Sequence, residues 1–263
     1  MTQAGFPIDP AIPRAALVTG AGRRLGRAMA VTLAQAGFAV GVHCNASRTE
    51  AEETASLIGA AGGRAVVLPA DLAQEAALLP LMEAAADALG PLGVLVNNAS
   101  RFERDEWHDT SRDSWDAHMG PNLRAPFVLT QAFARALPGA AHGVVVNMLD
   151  QRVWSLTPHF LSYTLSKAGL WTLTQSLALA LAPRIRVNAI GPGPALPSPR
   201  QNAASFARQA ASVPLGHGTG PEEVARALLA ILALPAMTGQ MIALDGGQHL
   251  QWSPAGTAPS LEE

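Results

Sequence analysis

The chain of 263 residues has a single cysteine, Cys44. No internal disulfide can form, and such thiol usage fits a reducing compartment. Charge is scarce as well: 14% of residues are Asp, Glu, Lys or Arg, and the formal net charge is -2. Without a basic field, nucleic acid is not an expected partner. Aromatic residues are few, at 5%. No charged-then-apolar signal opens the chain, because MTQAGFPIDPAIPRA is broken by proline and polar residues. The longest uncharged helical stretch, 168–183, is short for a membrane span and carries Thr, Gln and Ser. No repeat, linker or second domain is evident, and no metal site is expected. The expectation is a soluble cytoplasmic protein.

What is present is apolar and small. Hydrophobic residues make up 49% of the chain, and an Ala-, Leu-, Val- and Gly-rich composition suits helices packed on a buried parallel sheet. The pattern alternates. Short apolar runs at 15–19, 38–43, 64–69, 93–97, 144–147, 185–190 and 241–244 read as strands. Helical periodicity occupies 25–36, 49–61, 74–88, a long region from about 111 to 137 bent at Pro121 and Pro126, the run through Tyr163, and 222–234. Alternation of this kind predicts an α/β, Rossmann-like, doubly wound parallel sheet of about seven strands with helices on both faces. Residues 1–13 read as a flexible arm and 253–263 as a tail. Between them lies one domain, 14–252, with a cofactor half at about 14–100 and a catalytic and substrate half at about 101–252. A loop rich in Pro, Gly and Ser runs from 191 to 199.

Thr19-Gly20-Ala21-Gly22-Arg23-Arg24-Leu25-Gly26 lies between the first strand and first helix. Glycines there let the backbone turn sharply and approach a pyrophosphate, and the helix N-terminus offers N–H donors and positive dipole. A carboxylate at the end of the second strand would hold a ribose 2'-hydroxyl, but here the chain reads His43-Cys44-Asn45-Ala46-Ser47-Arg48. Asn45, Ser47 and Arg48, with Arg23 from the Gly loop, are donors and cations suited to a 2'-phosphate. NADPH is therefore expected over NADH. Arg48 has the alternative of being an ordinary solvated charge at a helix start. Asp71-Leu72 after the third strand either meets the adenine amine or caps the next helix. Asn97-Asn98-Ala99-Ser100 ends the fourth strand, where amides brace the sheet and line the cofactor groove.

Tyr163 and Lys167 stand four apart in the helix-forming run SYTLSKAGLWTLTQSLALAL, which puts both on one face about 6 Å apart along the axis. A phenol with a pKa of ~10 exchanges protons poorly at neutral pH, and a neighbouring ammonium stabilises its phenolate. The pair suits acid/base work on a carbonyl or imine. Asp150 precedes Tyr163 where a strand runs out, so strand end, loop and helix start converge on one cleft.

TGAGRRLG, NNAS, Tyr163-x3-Lys167, Gly191-Pro192-Gly193 and Asp245-Gly246-Gly247 occur together in this chain. With them the chain resembles the short-chain dehydrogenase/reductases over residues 15 to about 250. The resemblance implies that Tyr163 is the acid/base and that Lys167 tunes it and binds the nicotinamide ribose. It implies that Asn122 holds a proton-relay water, and that Asn98, Ala99, Ser100, Pro192 and Gly193 belong to the cofactor site. Two positions depart from the common family pattern: Arg24 replaces Gly and Asp150 replaces Ser. Both changes, with Ser100, Phe102 and NMLD, resemble the pteridine reductase branch, including dihydromonapterin reductases. That branch implies Phe102 stacking on a pterin against nicotinamide, Arg24 contacting phosphate and pterin, and Ser100 contacting cofactor and substrate. Reduction of a dihydropterin C6=N5 imine needs hydride at C6 and a proton at N5, which a buried carboxylic acid such as Asp150 can supply, directly or through water. Dihydrofolate is a further candidate substrate. Asp150 has the alternative of an ion pair with Arg152 or Arg24, and Phe102 that of a lid residue. Phe160 and Trp154 either line the substrate side or are ordinary apolar residues. The competing functions are a carbonyl reductase or alcohol dehydrogenase of another substrate class, and a non-catalytic dinucleotide-binding regulator. Relatives bury the Tyr163 helix between subunits, which implies a homotetramer with residues 248–252 at a contact or the active-site rim.

Overall fold

The computed structural model describes residues 7–198 and 201–250. Part of the expected arm, Pro199 of the 191–199 loop, residues 251–252 of the expected rim and the 253–263 tail lie outside the described residues. Among the described residues seven strands form one sheet: β1 (Ala15–Val18), β2 (Ala39–Cys44), β3 (Ala65–Pro69), β4 (Val94–Asn97), β5 (Gly143–Met148), β6 (Ile185–Pro192) and β7 (Met241–Leu244). Every pairing is parallel and the order is β3-β2-β1-β4-β5-β6-β7. The crossovers run one way from β1 to β3 and the other way from β4 on. Their reversal opens a crevice at the carboxyl ends of β1 and β4, where ligands of such sheets bind.

Strand side chains point alternately to the two faces. Val18, Val94, Val96, Val144 and Val146 join one buried cluster with Met29 and Leu33 of α1 (Arg24–Gln35) and Leu228 and Ile231 of α8 (Pro221–Ala233). Leu17, Leu95, Val145 and Val187 face the other way, toward α3 (Leu78–Leu89) and α5 (Ala125–Ala136). Burial on both faces explains why the strands read as unbroken apolar runs rather than as alternation.

The remaining helices are α2 (Arg48–Ala60), α4 (Arg112–Met119), α6 (Leu161–Leu181) and α7 (Ala203–Ala211). Three details differ from the sequence reading. The helix expected at 74–88 begins as a 3-10 turn, Glu75–Ala77, before α3. The long 111–137 region is two helices joined by a π turn, Gly120–Arg124, in which the Ala125 N–H bonds the Gly120 carbonyl five residues back. Pro121 has no N–H to give and its ring crowds the preceding turn, so the ladder widens there instead of breaking. Helix α7 is an addition. Its N-cap Asn202 accepts the Ser205 N–H at 2.8 Å, a local signal that its short length obscures.

Candidate active site

At the carboxyl edge of the sheet the Gly loop is laced to its neighbours. Thr19 Oγ1 accepts the N–H groups of Asn98 and Ala99, both at 2.9 Å, and Asn98 Nδ2 donates to the Thr19 and Gly20 carbonyls. Gly20 turns with φ +62°, and a Cβ on it would press against the Ala99 backbone. A Cβ on Gly26 would collide with the Gly20 carbonyl, so the helix can enter only with glycine there. Gly22 packs instead against Ser47 and Ala51 at the start of α2. His43, at the end of β2, is buried. Its Nδ1 accepts the Gly20 N–H at 3.0 Å while Nε2 faces the Ala70 carbonyl at 3.1 Å. These partners assign the proton to Nε2. Burial pushes the imidazole down to about 4.

Above this loop lies a cleft of about 620 Å³ lined by Gly20, Arg23, Arg24, Leu25, Gly26, Asn45, Ser47, Asp71, Leu72, Asn98, Ala99 and Ser100. A turn with no Cβ at positions 20, 22 and 26, and with donors at Arg23, Asn45 and Ser47, fits an anionic dinucleotide. Asn45 donates to Asp71 at 3.3 Å, and Asp71 also accepts the Ala73 N–H, capping the turn there rather than the helix that follows. Arg48 does not line the cleft. It is exposed on α2 and pairs with Glu52 one turn on, at 2.8 Å.

Continuous with the first cleft, through Arg24, Leu25, Asn98 and Ser100, is a second of about 260 Å³. Phe102, Asp150, Arg152, Tyr163, Lys167, Pro192 and Gly193 line it. Tyr163, the only tyrosine of the chain, donates its hydroxyl to Asp150 Oδ2 at 3.0 Å. Asp150 also accepts the Arg152 N–H at 2.9 Å and pairs with the Arg152 guanidinium at 3.3 Å. Of the two ion pairs weighed for Asp150, this is the one formed. The carboxylate accepts in all three bonds, so the phenol is the donor of the Tyr163–Asp150 pair. Lys167 is buried and donates to the Met148 carbonyl at 2.8 Å. Burial pushes its ammonium down to about 8, against the opposing pull of the Asp150 charge.

Arg24 adopts φ +55°, a conformation that favours glycine. Its guanidinium reaches across the cleft to the Pro197 and Leu196 carbonyls, at 2.8 and 3.2 Å. It thereby ties the Gly loop to the 191–198 loop. Phe102 stacks on Phe160 with centroids 4.6 Å apart and planes 11° apart, and meets Tyr163 edge-on. The Arg152 guanidinium lies over both phenylalanine rings, at 5.5 and 5.2 Å. Phe160 thus backs Phe102 rather than lining the cleft. Trp154 turns away to Trp171 and His249. Asn122 is fully buried in the π turn. It accepts the Arg101 N–H at 2.8 Å and donates to the Arg101 carbonyl and to Ser166 Oγ. Its amide pins the segment that leads into Phe102. Ser100 is exposed and borders both clefts.

The family model for the short chain dehydrogenase matches residues 14–207. The chain belongs to the short-chain dehydrogenase family. This family member, an oxidoreductase, is 45% identical to the FolM alternative dihydrofolate reductase 1 of Brucella canis, solved in complex with NADP, over 95% of this chain and 100% of that one, with a TM-score of 0.91. The Brucella suis counterpart, also with NADP, is 47% identical over 94% and 99%, with a TM-score of 0.90. A 3beta-hydroxysteroid dehydrogenase 1 of Eggerthella lenta is 34% identical over 89% of this chain and 93% of its own length. Among the described residues no helix is long and apolar enough to cross a membrane.

Several residues of this dehydrogenase site escape sequence reasoning. His43 carries one signal, an ionisable residue at the end of a strand whose other positions are apolar, which must find partners if buried. Phe206 and Gln209 of α7 and Gln248 complete the smaller cleft. They approach from far along the chain and carry no local mark.

Proposed function

We propose that this short-chain dehydrogenase is an NADPH-dependent reductase of a dihydropterin, yielding the tetrahydro form. The observation that carries the reading is Asp150 at hydrogen-bond distance from the Tyr163 hydroxyl, beside Phe102, in one small cleft. The likeness to alternative dihydrofolate reductases supports the same substrate class. NADPH, when bound, supplies the hydride for C6 of the C6=N5 imine. Arg23, Asn45 and Ser47 hold its 2'-phosphate, and Asn98, Ala99, Pro192 and Gly193 border its passage toward Tyr163. Lys167 supports the Tyr163 oxygen and holds the nicotinamide ribose. Phe102, backed by Phe160 and Arg152, presents a flat face for a heteroaromatic ring. The proton for N5 comes from the Tyr163–Asp150 pair and is replaced from solvent, so carbon gains a hydride and nitrogen a proton.

A carbonyl reductase reading draws on the same Tyr163 and Lys167 and on the likeness to a hydroxysteroid dehydrogenase. The test is NADPH oxidation against dihydropterins, dihydrofolate and simple carbonyls. Turnover confined to carbonyls would replace the pterin reading. No turnover at all would favour a dinucleotide-binding regulator, which has no need of the acid/base pair. We place the enzyme in the cytoplasm as a homotetramer. Leu165 and Leu179 of α6 are 42% and 83% exposed, apolar surface that a second copy would cover. Light scattering at micromolar concentration checks the assembly.

A further inference from the structure

Behind the cleft, and lining neither part of it, lies a buried polar chain. His118 of α4, Ser162 of α6 and Asp105 of the β4–α4 loop are each 5% exposed or less. Such groups are costly to bury unless their bonds are complete. Here they are joined end to end. His118 Nε2 accepts the Glu103 N–H at 3.1 Å, which assigns the ring proton to Nδ1. Nδ1 faces Ser162 Oγ at 2.7 Å and the Ser114 carbonyl at 3.0 Å. The Ser162 hydroxyl in turn donates to Asp105 Oδ2.

The chain also builds the start of the helix that carries Tyr163. Phe160, at the N-cap of α6, is left-handed at φ +59°, makes no side-chain cap, and no acidic residue occupies the first turn. Asp105 supplies what is missing from another element. Its Oδ1 accepts the Ser162 N–H at 3.2 Å, and its main-chain carbonyl accepts the Leu161 N–H at 3.3 Å. A carboxylate at this end also complements the helix dipole. One end of the chain therefore bonds the residue after Phe102, and the other bonds the residue before Tyr163. The His118 ring lies edge-on to the Tyr163 ring as well, with centroids 6.0 Å apart.

We propose that His118, Ser162 and Asp105 are positioning residues that hold the Phe102 ring and the Tyr163 hydroxyl in register, so that one buried chain sets both the substrate face and the proton side of the cleft. The inference rests on Tyr163 as the proton side of the proposed reaction and not on the pterin itself.

Two histidine replacements separate positioning from bulk. His118→Gln places Oε1 near the position of Nε2 and keeps an acceptor for the Glu103 N–H. His118→Asn is shorter and leaves that N–H without one. Ser162→Ala cuts the chain at its middle. With NADPH affinity, substrate KM and kcat measured for each, His118→Asn and Ser162→Ala should lower kcat by about 10-fold or more. NADPH affinity should stay within about twofold, since neither residue lines the cofactor cleft, and His118→Gln, which keeps the Glu103 bond but loses the Ser162 bond, should fall between the parent and His118→Asn. Parent-like kcat and KM in a folded His118→Asn or Ser162→Ala protein overturns the proposal. So does a loss of NADPH affinity equal to the loss of kcat, or a His118→Gln protein no better than His118→Asn. If His118→Asn does not fold, Ser162→Ala and His118→Gln decide by the same readings. Each assay is run on a dihydropterin and on a simple carbonyl. A parent active only on the carbonyl removes the pterin reading, while the variant-to-parent ratio still judges the positioning chain.

Discussion

The Tyr163 hydroxyl donates to the Asp150 carboxylate at 3.0 Å, joining a residue at the start of a helix to one in the loop thirteen positions earlier. In the common family pattern a serine occupies position 150. A hydroxyl can donate to a substrate carbonyl, whereas the aspartate here accepts from the phenol and from Arg152. The cleft is thereby built around a tyrosine whose proton is directed by a carboxylate.

Asp150→Asn is expected to bind NADPH as the parent does and to lose on the order of 10²- to 10⁴-fold in dihydropterin reduction, the span of general acid/base effects. Asp150→Ser, assayed on dihydropterins and on carbonyls, gives the sharper comparison. Equal dihydropterin rates in Asp150→Ser and the parent would show that the carboxylate is not specialised for this chemistry.

The Lys167 ammonium should set the alkaline limb. With its pKa pushed down to about 8 by burial, it is charged below that pH and neutral above. Reductive kcat should fall as the pH rises through about 8, as support for the Tyr163 oxygen is lost. Asp150 pulls this pKa up, so the residual activity of Asp150→Asn should show the limb at lower pH. A limb unmoved by that substitution would uncouple the two groups.

His43 should make the fold acid-sensitive. Its pKa lies at about 4 in the fold, against 6.5 for an imidazole in water. Between those values the unfolded chain binds a proton that the folded chain does not. The contribution is complete above about 6.5 and is lost as the pH falls through about 4, a difference on the order of 3 kcal/mol. His43→Asn, whose Oδ1 falls near Nδ1 and keeps an acceptor for the Gly20 N–H without a titrating ring, should flatten the dependence of urea stability on pH between about 7 and 4. An unchanged slope would assign the acid sensitivity to other groups.

Cofactor preference should respond to one arginine and not the other. Arg23 borders the cofactor cleft, while Arg48 is held on the α2 surface by Glu52. Arg23→Ala is expected to narrow the NADPH-over-NADH ratio of kcat/KM by about tenfold, as one charge-assisted phosphate contact is removed. Arg48→Ala should leave the ratio within about twofold. Equal use of both nicotinamides by the parent would remove the 2'-phosphate reading altogether.

Features that depend on local geometry were legible in the sequence. Continuous apolar runs mark strands buried on both faces, and their alternation with helical periods predicts the parallel sheet. The glycines of 20–26 mark a turn that leaves no room for a Cβ at positions 20 and 26, and Tyr163 and Lys167 share a face because helices repeat every 3.6 residues. Each signal is contained within a few residues, so no knowledge of the rest of the chain is needed to read it.

Partner choice is different, because it is decided by strand register and by which side chains burial leaves without water. Asn97 faces Asn147 across β4 and β5 and donates to it at 2.8 Å, a bond that exists only once the register is set. Arg152 rather than Arg24 pairs with Asp150, since Arg24 is committed to the Leu196 and Pro197 carbonyls on the far side of the cleft. The widened turn at Pro121 aims Asn122 at the Arg101 backbone. Asp105 caps a helix that begins more than fifty residues later. Short-range sterics and helical period are enough to dictate the seven strands, the glycine turn and the Tyr163–Lys167 pair, so residue order alone carries them. Which charges meet and which stay in water follows from the packed fold, because hydrogen-bond energies become selective once the sheet and its helices have excluded solvent.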